Sequence, residues 1–483
     1  MQWNKTPCPY LKTILRQVQN GEQTQELRLP EEMPDIGRVL CGWGQPMIRS
    51  KQWRSDGISV SGGVSGSVMY LPEDGSQPRV MEAWIPFQMK WNLPQTQRQG
   101  MIRLKALLDG MEARMLSDRK MMLRATVSLL AEAMEPVEAD IYSPTDLPAG
   151  VEVLTRTYPA VLPREAGEKE FQFEDDVRIP NVSKWVCWEM MPRINEESVV
   201  GSRAVIRGSG QLHYVYMDEE GNVHSGRQEI PFAQFIDLDR EYGSDASVNV
   251  MLAVAGLEPE ITEDGAHIQC SLSAQYVLWD QTLLEVAEDA YSPTGKVELS
   301  TEMLQLPMEL DSRTETVNAQ SQFRDGKVVD MTFLPDFPGQ FREADQLNIS
   351  PGGDFQILYE DANGSLQTTL ERWSEDMPLP AGADTQLTTS VLGVESQNDA
   401  MTAEMKLGLR TKANQQIPML TGLTLEEREQ PDEERPTLIL RRMDAESLWE
   451  LAKRCGSTME AIRKANGLTQ EPEQGQMLLI PIG

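Results

Sequence analysis

The sequence predicts a mainly β protein: three tandem antiparallel β-sandwich-like repeats followed by a small βααβ module. Three observations predict it. The first is a pattern written three times: the strand-like runs GSVMY, LHYVY and FQILY end at Tyr70, Tyr216 and Tyr359. Acidic turns follow (PEDG, DEEG, DANG), with Gly75, Gly221 and Gly364 each five positions after its tyrosine. The second is register. Cys41 and Cys187 stand 146 positions apart, as do Tyr70 and Tyr216, Gly110 and Gly256, and Asp118 and Asp264. A repeat of that length outranks any local signal, because it makes most of the chain one module used again. The third is a change of texture near residue 437, where the spacing of apolar residues becomes helical.

Residues 1–21, which include Leu11, Ile14, Leu15 and Val18 on one helical face, predict a short amphipathic N-terminal helix. Repeat one is placed at 22–165, repeat two at 166–312 and a divergent repeat three at 313–425. Each full copy opens with a short strand ending in proline, Leu27–Pro30 and Val177–Pro180. A glycine-spaced strand follows, GISVSGGVSGSVMY or RAVIRGSGQLHYVY, and then the acidic hairpin, whose glycine supplies a positive φ. The next strand ends in an Ile-Pro-Phe corner, Ile85-Pro86-Phe87 and Ile230-Pro231-Phe232; copy three has Arg372-Trp373-Ser374 there. In the back half, Ile268, Cys270, Leu272 and Ala274 alternate as a half-buried strand requires. Tyr142-Ser143-Pro144-Thr145 and Tyr291-Ser292-Pro293-Thr294 close the first two copies. Copy three runs instead into an acidic, proline-bounded linker, 426–436. Short strands with frequent turns favour antiparallel sandwiches over parallel α/β units.

Composition narrows the function classes. With 483 residues, 40% of them apolar, the chain can build several cores. A net charge of −31 repels nucleic acid and anionic lipid from the bulk surface. From Thr437 onward six basic and six acidic residues balance, so the excess lies entirely before that point. Five scattered cysteines with no CxxC predict small buried hydrophobes, Cys41 and Cys187 above all, and a reducing compartment. No basic segment precedes an apolar one at the N-terminus and no run reaches a membrane span's length, predicting a protein retained in the cytoplasm. His213, His224 and His267 have no metal-ligand spacing, and no phosphate loop or nucleophile elbow occurs. We therefore expect no enzyme, no metal and no cofactor.

In the last 47 residues, Leu438-Ile439-Leu440 predicts a strand. Ser447-Leu-Trp-Glu450 and Ser457-Thr-Met-Glu460 read as capping boxes opening two helices, which Gly456 and Gly467 end. Leu448, Leu451, Ala452 and Cys455 share one face of the first helix, and Gly475–Pro481 closes with a strand. Ser447-Leu448-Trp449, Asn466-Gly467-Leu468, Gly475-Gln476 and Leu479-Ile480-Pro481 together resemble a LysM domain over about a tenth of the chain. That resemblance implies a groove between the first and last loops for an N-acetylglucosamine glycan or a protein partner. Its residues would be Asp444, Ala445, Glu446, Ser447, Leu448 and Trp449, then Asn466, Gly467 and Leu468, then Gly475, Gln476 and Met477. Ala445-Glu446 stands where the family has Gly-Asp, and the glycine lets backbone approach the sugar, so weak chitin-oligomer binding is expected. Trp449 has two readings: part of the module's small core, or an aromatic anchor at the groove mouth. The neutral, doubly capped module is expected to fold alone.

LRLPEEMPDIGRVL, the Gly-x-Val-x-Tyr strand, Ile-Pro-Phe and Asp118-Arg119-Lys120 resemble the SPOCS domain of spore-forming Firmicutes. Tandem copies before a terminal LysM resemble a family of spore-coat morphogenetic proteins. The resemblance implies a mother-cell protein at the forespore surface, docking through LysM on a stage IV sporulation protein A-like coat ATPase. Two other readings stay open: a peptidoglycan-binding protein of the cell wall or a phage tail, and a wall-active enzyme.

Overall fold

The computed structural model describes residues 3–54, 56–93, 99–145, 147–179, 181–344, 346–379, 384–397, 399–427 and 437–482. Most of the 426–436 linker lies outside them. The protein is mainly β, as the sequence predicts, and among the described residues helix occurs only in the C-terminal module.

The first unit holds β1 (Trp3–Arg28), β2 (Ile36–Arg54), β3 (Gly57–Pro72), β4 (Arg79–Asn92), β5 (Met101–Ser117) and β6 (Lys120–Pro144). Its two antiparallel sheets have the orders β2-β3-β4 and β1-β6-β5. The second unit repeats this plan with β7 (Glu152–Arg178), β8 (Val182–Val200), β9 (Arg203–Asp218), β10 (Val223–Asp237), β11 (Ser247–Thr262) and β12 (Gly265–Tyr291). Its sheets are β8-β9-β10 and β7-β12-β11. The third begins with β13 (Gly295–Gln322) and β14 (Lys327–Pro335). It then inserts β15 (Gly339–Glu343) and β16 (Gln346–Ser350) before β17 (Gly352–Glu360) and β18 (Leu366–Ser374). β19 (Met377–Leu379), β20 (Asp384–Gln397) and β21 (Ala400–Glu427) complete it. Its divergence therefore has a physical form: a third small sheet, β15-β16-β19, beside the two that all units share.

The thrice-written hairpin forms as its residues dictate. Gly75, Gly221 and Gly364 have φ of 74°, 87° and 77°. Their amides donate to Pro72, Asp218 and Asp361 carbonyls, closing turns that need a left-handed residue. Behind each turn an apolar face is buried: Val68 and Tyr70 in one unit, Leu212 in the next, Phe355 and Ile357 in the third. Ile268, Cys270, Leu272 and Ala274 are all at most 1% exposed, so the alternation seen in the sequence is the core face of β12.

Three expectations are corrected. Residues 3–21 are not a helix. They form most of β1, which pairs with β6 from Trp3↔Pro144 to Arg28↔Lys120. A bulge between Thr13 and Leu15 shifts the alternation by one. That brings Ile14 and Leu15 together and imitates helical spacing. The boundaries near 165/166 and 312/313 fall inside single strands, β7 and β13; the units run 3–144, 152–291 and 295–427. The Ile-Pro-Phe segments are not strand ends. They lie mid-strand in β4 and β10, which are edge strands and can carry a residue without an amide hydrogen. There Phe87 and Phe232 cover Gly62 and Gly208, where a Cβ would sit 2.7 and 2.6 Å from the ring.

Six strands are far longer than sandwich strands, at 25 to 28 residues. β5, β11 and β20 cover only one half of their partners. Beyond that half, β1/β6, β7/β12 and β13/β21 continue as two-stranded ribbons. An isolated ribbon is marginal in water. Here three pack together through Cys8 and Ile141, Ala160, Leu162 and Val286, and Leu306, Ile417 and Met419.

The units also interlock. Met47 of the first is buried in the core of the second, Met191 of the second packs on the core of the third, and Leu334 of the third is buried in the core of the first. Pro46, Pro192 and Pro335 line one axial cavity. On the axis, His213 is fully buried between Glu189 (2.9 Å) and Asp330 (2.8 Å), and Trp43 Nε1 donates to Asp330 at 2.9 Å. One cluster thus ties all three units. Cys41 and Cys187 are buried beside it, as small hydrophobes.

Candidate binding site

The C-terminal module consists of β22 (Leu438–Arg442), α1 (Leu448–Cys455), α2 (Met459–Asn466) and β23 (Met477–Pro481). Ser447 caps α1 reciprocally with Glu450: Glu450 N donates to Ser447 Oγ at 3.2 Å, and Ser447 N to the Glu450 carboxylate at 2.8 Å. The bond from Ser447 N, and after it one from the Ser447 hydroxyl to the same carboxylate at 3.0 Å, lower the Glu450 pKa. Gly456 and Gly467 end the helices with φ of 65° and 61°, as their positions predict. The second expected capping box does not form. Thr458, not Ser457, caps α2, accepting from Ala461 N at 3.0 Å. Ser457 is buried, and its hydroxyl donates to the Pro481 carbonyl, joining the turn between the helices to β23.

β22 and β23 pair from Leu438↔Pro481 to Arg442↔Met477. This brings the two loops of the expected groove side by side. Met443 N donates to Gln476 O at 2.8 Å and Gly475 N to Met443 O at 2.7 Å. Asp444, Ala445, Ser447, Gln476 and Met477 are exposed there. Glu446 pairs with Arg454, holding the Ala445-Glu446 loop against α1. Leu440, Leu479 and Met477 leave an apolar strip on the outer face of the ribbon.

Other expected site residues are brought elsewhere. Leu448 is 1% exposed, in the module's core. The Asn466 side chain pairs with the Leu479 backbone at 2.6 and 2.7 Å, acting as a surrogate strand neighbour. Gly467 serves as the helix stop, and Leu468 packs on the core.

Trp449 is the largest departure. It is 5% exposed, and its ring stands edge-on to Tyr291 at 4.8 Å between centroids. Its Nε1 donates to Asp289 at 2.8 Å, and Lys453 pairs with the same carboxylate at 2.7 Å. Tyr291 in turn donates to Ser457 O at 2.9 Å, and burial raises its pKa. Leu154 packs on the same cluster. Trp449 is therefore covered by β12 of the second unit, so it is not available as an anchor at the groove mouth. The module is docked on the ribbon tip. Sequence reasoning missed Asp289 and Tyr291. Their only signal was the recurrence of Tyr-Ser-Pro-Thr, which read as a turn.

The histidines occupy structural positions. Besides His213, His224 bonds Asp218 at 2.8 Å across the acidic hairpin, and His267 bonds Asp176 at 2.9 Å on the neighbouring strand. Burial alone would lower the His213 pKa, but Asp330 and Glu189 outweigh it and hold it up at about 9.

A two-stranded ribbon backed by two short capped helices, with its loops open to solvent, defines a small recognition module carried on a β platform. Residues 445–481 match the LysM domain family. LysM domains bind N-acetylglucosamine-containing glycans, peptidoglycan among them, so a glycan is an admissible ligand here. No curated protein and no solved structure matches the chain.

Proposed function

We propose that this protein is a non-enzymatic adaptor whose three-unit platform holds a LysM groove in one orientation for a partner. The observation that carries this reading is the division of the module's surface. One face, with Trp449 and Lys453, is taken up by Asp289 and Tyr291, while the loops Asp444–Ser447 and Gly475–Met477 stay open. A module fixed on a rigid support loses less orientational freedom on binding than one on a tether.

On the SPOCS-like repeats and the terminal LysM, the chain is similar to SipL-like spore-coat morphogenetic proteins. We place it at the forespore surface, on the mother-cell cytoplasmic side, with the stage IV sporulation protein A-like coat ATPase as partner. Two features favour a protein over a sugar: Ala445-Glu446 in the loop, and the apolar strip of Leu440, Leu479 and Met477. The LysM match itself favours the second reading, binding of peptidoglycan glycan.

The test is titration of the full chain with the purified coat-base ATPase and, separately, with a chitin pentamer. Met477 is 51% exposed, so Met477→Glu leaves the fold intact while placing a charge in the interface. Micromolar binding to the ATPase, weakened at least tenfold by Met477→Glu, is expected. Micromolar pentamer binding with none to the ATPase would move the function to the cell wall.

A further inference from the structure

We propose that the axial cavity where the three units meet binds one small, neutral, apolar molecule the size of a single hydrocarbon ring. Its volume is about 130 Å³. A cavity of about 150 Å³ lined by aliphatic and aromatic side chains stays dry and admits benzene. The site is distinct from the LysM groove, so it adds to the proposed function without resting on it.

Each unit builds its share of the cavity in the same way. Pro46, Pro192 and Pro335 border it. So do Leu108, Val254 and Val391, each placed just before a β-bulge in β5, β11 or β20. A bulge bends the strand that carries it, so three strands turn at matching places and leave space between them. Leu108, Val254 and Val391 are all buried, which makes the walls they form interior surface. Met190 and Met191 line the cavity as well, and an unbranched thioether side chain adapts to the outline of what it touches.

The polar groups of the wall are committed within the protein. Gln45 Oε1 accepts from Met190 N at 2.6 Å, and Gln45 Nε2 donates to the Pro46 carbonyl at 3.2 Å. Glu189 accepts from Gly44 N at 3.2 Å and pairs with His213. Lys105 donates to the Thr389 carbonyl. Lys105 and Glu189 are the charged residues of the wall among the described ones, one of each sign, so the site selects for a ligand without charge. Thr332 Oγ1 has no hydrogen-bond partner among the described residues and lies out of contact with solvent. A trapped water needs two to four polar partners, and these groups have made their bonds elsewhere or stand back from the space. Empty volume against apolar walls is destabilising. A hydrocarbon that fills it removes that penalty together with its own exposure to water. Because the walls come from three units, only the assembled platform can hold it.

The test is isothermal titration of the full chain with toluene, and with benzoate as a charged ring of similar size. Saturable one-to-one binding of toluene with a Kd below about 1 mM is expected, and benzoate should bind at least tenfold more weakly. Val254→Phe and Val391→Phe each put a ring into the cavity from a different unit. Either should weaken toluene binding at least tenfold, with circular dichroism confirming the fold. Methyl-labelled NMR of the wild-type chain locates the ligand without any variant: toluene should shift the methyl resonances of Leu108, Val254 and Val391. No saturable heat from folded wild-type protein, methyl shifts confined to other residues, equal affinity in a folded phenylalanine variant, or benzoate binding as tightly as toluene overturns the proposal.

Discussion

Asp289→Ala separates docking of the LysM module from its folding, because Asp289 belongs to β12 while its partners belong to α1. The carboxylate accepts from Trp449 Nε1 at 2.8 Å and pairs with Lys453 at 2.7 Å. A hydrogen bond to a charged group is worth about 1.5–3 kcal/mol. Lys453 is 43% exposed, so its pair adds only about 0.2–1 kcal/mol. The Trp449–Tyr291 contact survives the substitution. The net loss is then about 2 kcal/mol, or roughly thirtyfold in the docking equilibrium. Hydrogen exchange reads this directly. Amides of Leu448–Cys455 that exchange through undocking should lose about thirtyfold protection, while those of β3 and β9 should not change. Lys453→Gln should lose only about twofold to fivefold. Unchanged protection in α1 after Asp289→Ala would refute the argument that this face holds the module to the platform.

Two further predictions concern the platform. The raised His213 pKa stabilises the fold fully below its unfolded value near 6.5, and that contribution is lost as pH rises through about 9. Burial alone would raise the Asp330 pKa, but the His213 charge and hydrogen bond bring it down to about 2, so acid loss belongs to the range between about 4 and 2. Tm should therefore stay level between pH 5 and 6.5 and fall above 7; His213→Gln should flatten that alkaline fall. A Cβ at Gly62 would stand 2.2 Å from the Met47 carbonyl and 2.7 Å from Phe87, so Gly62→Ala should cost several kcal/mol in denaturant unfolding, at or beyond the usual overpacking range of about 1–3 kcal/mol. Gly110→Ala, with nothing within 4 Å, should be near neutral.

What the sequence disclosed follows from the range of the interaction involved. The hairpin glycines, the Ser447–Glu450 cap and the alternation around Cys270 are local, each settled within a few residues. The N-terminal strand was misread because the bulge at Ile14 counterfeits helical spacing, and only pairing with β6, over a hundred residues away, exposes it. Unit boundaries were misplaced because the long strands keep running past the sheet that defines the repeat. In the LysM region the cap, both stops and the juxtaposed loops were legible. The covering of Trp449 was not, since Asp289 and Tyr291 lie some 160 residues earlier in the chain and nothing local marks them as partners.

The mutual insertion of Met47, Met191 and Leu334 sets a limit on how such a protein can evolve. A solenoid grows by adding a copy at an open end. Here each unit lends a side chain to the next and the third returns one to the first, so the circuit has no end at which to add or delete. Gene duplication could build this arrangement, yet once closed it counts to three. The buried cluster goes further, drawing its tryptophan, histidine and aspartate from different copies. Swapping one copy for another would leave that cluster with two of one member and none of another. Descendants can diversify their loops, and the third unit's extra hairpin is one such change, but they inherit the number and the order.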